Sequence, residues 1–216
     1  YKHINSGEGG FLVTDDADVM AKAVILSGSY MLYDRHIAAP AASHFDDIRY
    51  HTPNVSGRMD HLRAAILRPQ LANLQAQAQA WNMRYQAVEA ALAHTPGLTL
   101  ISRLEEESYV GSSIQFLLLD WAADRIENLL ARCASRGVEL KWFGGQEPTG
   151  FTSRYDSWRY APSSAMPKSD RVLAGVIDMR LPLTFSLEDC AVIGRIIRAE
   201  VGALYQLADS AAQTAI

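Results

Sequence analysis

Apolar side chains recur at spacings of three and four from Met59 to Leu92, through Leu62, Ile66, Leu74, Trp81, Tyr85 and Val88. This spacing predicts a helix of about 34 residues, roughly 50 Å long at the α-helical rise. That exceeds one small core, so the helix is expected to run along a seam between two domains. Pro69 lies inside it and deletes one backbone donor, which predicts a kink or break nearby. His94-Thr95-Pro96-Gly97 ends the pattern. Upstream, Phe11-Leu12-Val13-Thr14 is a short β-prone run between Gly9-Gly10 and Asp15-Asp16. Either aspartate can cap the next helix, whose predicted inner face is Val19, Ala23 and Leu26 and whose end is Ser27-Gly28. From Tyr30 to Gly57 the periodicity disappears, which predicts a long functional or interface loop.

Beyond Gly97 the apolar runs shorten. Leu98–Ile101, Ile114–Leu119, Val138–Trp142 and Met179–Leu183 read as strands. Trp121–Ser135 reads as a helix stopped by Gly137, and Asp170–Ile177 as a helical turn or two. Ser186 caps a final helix with Leu187, Val192, Ile196, Ile197 and Val201 facing inward. The loop from Gly144 to Pro167 carries Phe151, Tyr155, Trp158 and Tyr160. Together these predict an α+β domain with an antiparallel or mixed sheet. The Gln-Ala alternation over Gln75–Ala80 reads as a run of good helix formers.

The chain has 216 residues, 49% hydrophobic and 20% charged, which excludes a disordered or fibrous class. Its formal charge of −4 denies it the cationic surface that nucleic acid demands. Cys133 and Cys190 stand far apart in apolar contexts without metal-ligand spacing, so they read as reduced core thiols of a cytoplasmic protein. No apolar run reaches a membrane span of roughly 18 residues. The polar opening Tyr1-Lys2-His3-Ile4-Asn5-Ser6 is no signal peptide, and suggests the C-terminal part of something longer. The histidines lack ligand-like spacing, so no metal site is expected.

Only four lysines stand against sixteen arginines: Lys2, Lys22, Lys141 and Lys168. Lys2 precedes Gly7-Glu8-Gly9-Gly10, whose glycines permit tight turning and close approach of another group. The lysine either contacts phosphate, attacks a carbonyl as a nucleophilic amine, or is an exposed residue beside a turn. It is no phosphate loop, because the lysine comes before the glycines.

The segment from Lys2 to Asp16 resembles the cofactor-lysine segment of the DegT/DnrJ/StrS-type aminotransferases, in which a lysine precedes Gly-Glu-Gly-Gly and a strand ending in Thr-Asp. Arg58-Met59-Asp60-His61-Leu62-Arg63-Ala64-Ala65-Ile66, followed by Gln70-Leu71, is similar to the start of that family's long interdomain helix. Leu181-Pro182-Leu183 is a weaker third match. The resemblance implies the C-terminal portion of a fold type I transferase, α/β plus α+β: residues 1–57 ending the large cofactor domain, 58–95 the interdomain helix, and 96–216 the small C-terminal domain. It implies that Lys2 forms a Schiff base with pyridoxal 5'-phosphate and then shuttles a proton, while the pyridine ring acts as the electron sink. It further implies a homodimer with shared sites, the loop from Tyr30 to Gly57 at the contact. The donor would be glutamate or glutamine and the acceptor a keto sugar or cyclitol.

Where the family often has an Asn two residues before Arg-Met that reaches the cofactor phosphate of the neighbouring subunit, this chain has Ser56, with Asn54 two further back; both are candidates for that phosphate. The usual histidine-bearing stretch is replaced by Trp142-Phe143-Gly144-Gly145, which sets the usual sugar-nucleotide substrate in question. Arg180 is a candidate clamp for the donor carboxylate, or a strand-end arginine with an internal partner. Trp142 and Tyr155 are candidate substrate contacts; Phe151, Arg154, Tyr155, Trp158 and Tyr160 either form a lid or pack their own loop. The rival readings are a lyase or dehydratase of the same family, disfavoured by the lysine, and a non-catalytic regulatory or assembly module.

Overall fold

The computed structural model describes residues 2–29, 31–145, 147, 155–162 and 164–214, without the side chains of Tyr155 and residues 208–214. The chain divides into two compact units, Tyr1–Gln75 and Ala76–Ile216.

In the first unit, α1 (Ala17–Leu26) starts at Asp16, whose carboxylate accepts from the backbone N–H of Asp18 and Val19. Those two bonds hold the Asp16 carboxyl below its ordinary value. The predicted inner face is corrected: Ala21, Val24 and Ile25 are buried, whereas Val19 is exposed. The reason lies in the loop expected from Tyr30 to Gly57. It contains 3₁₀ turns at Tyr33–Arg35 and Ala42–His44 and a helix, α2 (Phe45–His51). Phe45 of α2 joins the α1 residues in one small core and packs tilted against Tyr33, 4.6 Å between ring centroids. The side of α1 that meets Phe45 is therefore the buried one, and no local spacing announces it.

The strand expected at Phe11–Thr14 does not form. A strand needs a neighbouring backbone, and among the described residues none pairs with this segment. Phe11, Leu12 and Val13 are all exposed.

The long helix is interrupted once, giving α3 (His61–Ala72) and α4 (Leu74–Leu92). The interruption at Asn73 follows Pro69 by one turn, and the Asn73 N–H is shared between Pro69 O and Gln70 O. α3 begins at Asp60, whose side chain accepts from Arg63 N at 2.8 Å. Within α3 only Leu67 is buried; Leu62 and Ile66 of the apolar repeat are exposed.

The second unit packs α4, α5 (Ala123–Ser135), α6 (Pro167–Leu173) and α7 (Leu187–Thr214) with a four-stranded sheet. Its strands are β1 (Thr99–Leu100), β2 (Ser113–Leu117), β3 (Lys141–Trp142) and β4 (Val176–Arg180), in the order β1-β2-β4-β3. Every pairing is antiparallel, with Ile114 opposite Met179 and Phe116 opposite Ile177. The core combines Tyr85, Val88 and Leu92 of α4, Ile126, Leu129 and Cys133 of α5, the inward residues of β2 and β4, and Cys190, Ile197, Val201 and Leu204 around α7. Both cysteines are buried and unpaired.

Several expected boundaries shift for local reasons. β3 is shorter than Val138–Trp142, since the Val138 N–H is spent on Cys133 O at the exit of α5. α6 begins at Pro167, which suits a first helical turn, and ends before Ile177. β4 ends at Arg180, short of Pro182, and a proline cannot donate to a ladder. Leu187 and Val192 of α7 are exposed, and Cys190 and Leu204 take the inner positions instead. The α7 start is a reciprocal cap: Ser186 Oγ accepts from Asp189 N, and Asp189 Oδ2 accepts from Ser186 N.

Two polar clamps tie irregular chain to α4. Arg84 donates to Phe185 O, Leu183 O and Ala80 O at 2.7, 2.9 and 2.8 Å. Asn82 donates to Tyr109 O and accepts from Gly111 N.

Candidate functional site

Lys2 lies in the first unit, exposed, at the edge of a small hollow of about 180 Å³. The hollow is lined by the segment from Ile4 to Phe11 and by Leu67 of α3. The glycines do there what only glycine does cheaply. Gly7 and Gly9 have φ of 92° and 133°, and a Cβ on Gly9 would come within 2.7 Å of Met59 Cε. The turn therefore lies close against the chain entering α3.

Asn5 fixes the near end of that turn. Its side-chain oxygen accepts from Gly7 N at 2.7 Å. Its backbone is held by Gln70: Asn5 N–H donates to Gln70 Oε1 and Gln70 Nε2 donates to Asn5 O, both at 2.8 Å. The second Nε2 hydrogen goes to Ile66 O at 3.0 Å. In the sequence Gln70 stands only as part of the helix-entry motif, with no role attached. The partners are 65 positions apart, so no local pattern could have paired them.

Asn54 and Ser56 sit together in the same unit, outside the lining of the Lys2 hollow. Asn54 Oδ1 accepts from Ser56 N at 2.9 Å, and Ser56 has φ of 52°, rare for a residue with a Cβ. Gly57 N then donates to Leu26 O at the end of α1. Arg58 packs over Gly28, where a Cβ would fall on its Nη1. This leaves the Ser56 hydroxyl and the Asn54 amide nitrogen as donors on a tightly held turn.

The remaining candidates belong to the second unit. Arg180 ends β4 opposite Ser113 and lines a hollow of about 520 Å³ with Lys141, Asp178 and Phe185. Trp142 lies on β3, and its indole N–H donates to Ala174 O at 2.8 Å, so its polar group already serves the fold. Tyr155 opens a 3₁₀ turn, but its side chain lies outside the described residues, as do Phe151 and Arg154. Trp158 and Tyr160 stack at 5.9 Å. Among the described residues there is no group of three or more potential metal ligands, and no helix is long and apolar enough to cross a membrane.

The chain is similar in fold to several solved structures. DesI, determined in the presence of its TDP-sugar product, superposes with a TM-score of 0.66 at 18% identity, covering 97% of this chain and 49% of that one. 3-Amino-5-hydroxybenzoic acid synthase gives 0.61 at 17% identity, covering 88% and 48%. The aminotransferase TlmJ from Streptoalloteichus hindustanus gives 0.58 at 16% identity, covering 70% and 39%. This chain thus spans about half the length of those proteins or less. No curated protein matches it. The sequence profile of one family matches residues 1–198, carrying the glycine turn, the Arg58-Met59 helix entry and the four-stranded unit together: the chain belongs to the DegT/DnrJ/EryC1/StrS aminotransferase family.

Proposed function

We propose that the chain is the C-terminal portion of a pyridoxal-phosphate-dependent aminotransferase, with Lys2 as its catalytic amine. The observation that carries this is the setting of Lys2, the lysine of a family aminotransferase held beside a hollow by a glycine turn fixed at Asn5. The residue types present fit the aldehyde end of one cofactor and the phosphate end of the neighbouring subunit's. Lys2 offers a primary amine, and Ser56 and Asn54 offer uncharged donors on a rigid turn. When bound, pyridoxal phosphate supplies an aldehyde that reacts with amines and a ring that takes up an electron pair. Lys2 would hold and return the proton at the substrate carbon, a task open to a primary amine.

The fold of DesI, solved with its TDP-sugar product, supports a keto sugar or a related ring ketone as acceptor, with glutamate or glutamine as donor. Arg180 is the candidate for the donor carboxylate, because a guanidinium fork matches two oxygens at once; Trp142 and Tyr155 are the candidates for the acceptor. In this reading residues 1–57 end the cofactor domain, 58–95 link it to the small domain, and 96–216 form that small domain. A homodimer with shared sites would use the stretch from Tyr30 to Gly57, where Met31, Leu32, Ile37, Tyr50 and Val55 are exposed apolar side chains. The enzyme would work in the cytoplasm.

The test is borohydride reduction of the cofactor-loaded protein carrying this chain, followed by peptide mapping. Label on Lys2, and loss of both the violet-edge absorbance and turnover in Lys2→Ala, is the expected result. A Lys2→Ala protein that keeps chromophore and turnover refutes the reading.

A further inference from the structure

The carboxamide of Gln70 behaves as a one-residue strand. It takes the N–H of Asn5 and gives to the C=O of Asn5, the pairing two strands make across a ladder. Its third bond, to Ile66 O one turn back, saturates both amide hydrogens and fixes which end is nitrogen. Turning the amide over would set two donors against each other at Asn5 N and two acceptors at Asn5 O. The clamp therefore has one orientation, and its base is α3, anchored by buried Leu67 one turn earlier.

Asn5 is three residues from Lys2 and is tied to the glycine turn through its own side chain. Leu67 and the turn both line the Lys2 hollow. Without the clamp, an exposed segment rich in glycine would sample many backbone states, each carrying Lys2 elsewhere. We propose that Gln70 is a positioning residue for Lys2: through the Asn5 backbone, α3 sets where the Lys2 amine stands. This rests on the reading of Lys2 as the cofactor amine. Gln70 itself needs no contact with cofactor or substrate.

The experiment uses the protein carrying this chain, as wild type, Gln70→Ala and Gln70→Glu. Glutamate keeps the length and can accept from Asn5 N–H, but as a carboxylate it cannot donate to Asn5 O or Ile66 O. Hydrogen exchange on unloaded protein reads the clamp directly. The Asn5 and Gly7 amides should exchange at least about fivefold faster in Gln70→Ala, the factor one net hydrogen bond carries. Amides of α4 and β2 should be unchanged, which separates local release from unfolding. Borohydride trapping of pyridoxal phosphate at Lys2 then reads positioning, with a rate about fivefold lower in Gln70→Ala and at least as low in Gln70→Glu, whose second oxygen would meet Asn5 O and Ile66 O acceptor to acceptor. Unchanged exchange at Asn5, or faster exchange with unchanged trapping in both variants, overturns the assignment. A wild type that traps no cofactor at Lys2 sinks the functional reading and this assignment together, whereas a trapping wild type with unaltered variants sinks this assignment alone.

Discussion

Replacing Glu200 by glutamine should cost the second unit about 2 kcal/mol near neutral pH, and the loss should vanish in acid. Glu200 is 8% exposed on α7 and reaches Arg132 of α5 and Arg136 just past its end. Its Oε2 accepts from Arg132 Nε at 2.6 Å and its Oε1 from Arg136 Nη1 at 2.8 Å. A hydrogen bond to a charged group is worth roughly 1.5–3 kcal/mol when well shielded. Here the guanidinium side chains are 41% and 45% exposed, so water and salt screen them, and about 1 kcal/mol per bond is the reasonable figure. Glutamine keeps one acceptor but turns an NH₂ toward a guanidinium that can only donate. The pH dependence follows from the direction of the shift. The bonds from Arg136 and then Arg132 hold the carboxyl below its ordinary value. A depressed carboxylate contributes stability above its unfolded value and loses it as the pH falls through the folded one. The gap between wild type and variant should therefore be level from about pH 6 to 8 and close below about pH 4. Urea unfolding followed by tryptophan fluorescence measures it, since Trp81, Trp121, Trp142 and Trp158 all lie in the second unit. A gap as wide at about pH 3 as near pH 7 would show that shape, not charge, is lost, and would refute the reasoning.

Three other outcomes are expected. Gly194→Ala places a methyl 2.5 Å from Ala91 Cβ between α7 and α4; overpacking of about 1–3 kcal/mol should outweigh the better helix propensity of about 1 kcal/mol, read as a lower urea midpoint. Arg84→Lys should destabilise by about 1–2 kcal/mol in the same assay, because one ammonium cannot span the carbonyls of Leu183, Phe185 and Ala80 that the guanidinium holds. Burial pushes the Cys133 thiol up to about 11 and raises Cys190 as well, so a thiol-specific disulfide reagent near pH 8 should react with neither until the protein unfolds; rapid reaction in the native protein would contradict the packing.

Much of the fold was legible where the determining contact is local. Asp16 and Ser186 cap helices because a short side chain reaches an N–H two or three residues ahead. Pro69 marks the neighbourhood of the break, although α3 runs through it and ends at Ala72, and the chain past Leu92 turns at His94 and Gly97, both with positive φ. The family resemblance was legible in the same way, as residue types at fixed spacing around Lys2 and Arg58.

What stayed hidden depends on distant chain. Whether Phe11–Thr14 becomes a strand depends on a neighbouring backbone, and which side of α1 is buried depends on Phe45, some twenty residues on. The grip on the Lys2 turn depends on an amide 65 positions away. A sequence states each residue's own conformational preferences, because these come from bonds and near neighbours. Burial and long-range hydrogen bonds are properties of pairs, and only the folded chain chooses the pairs.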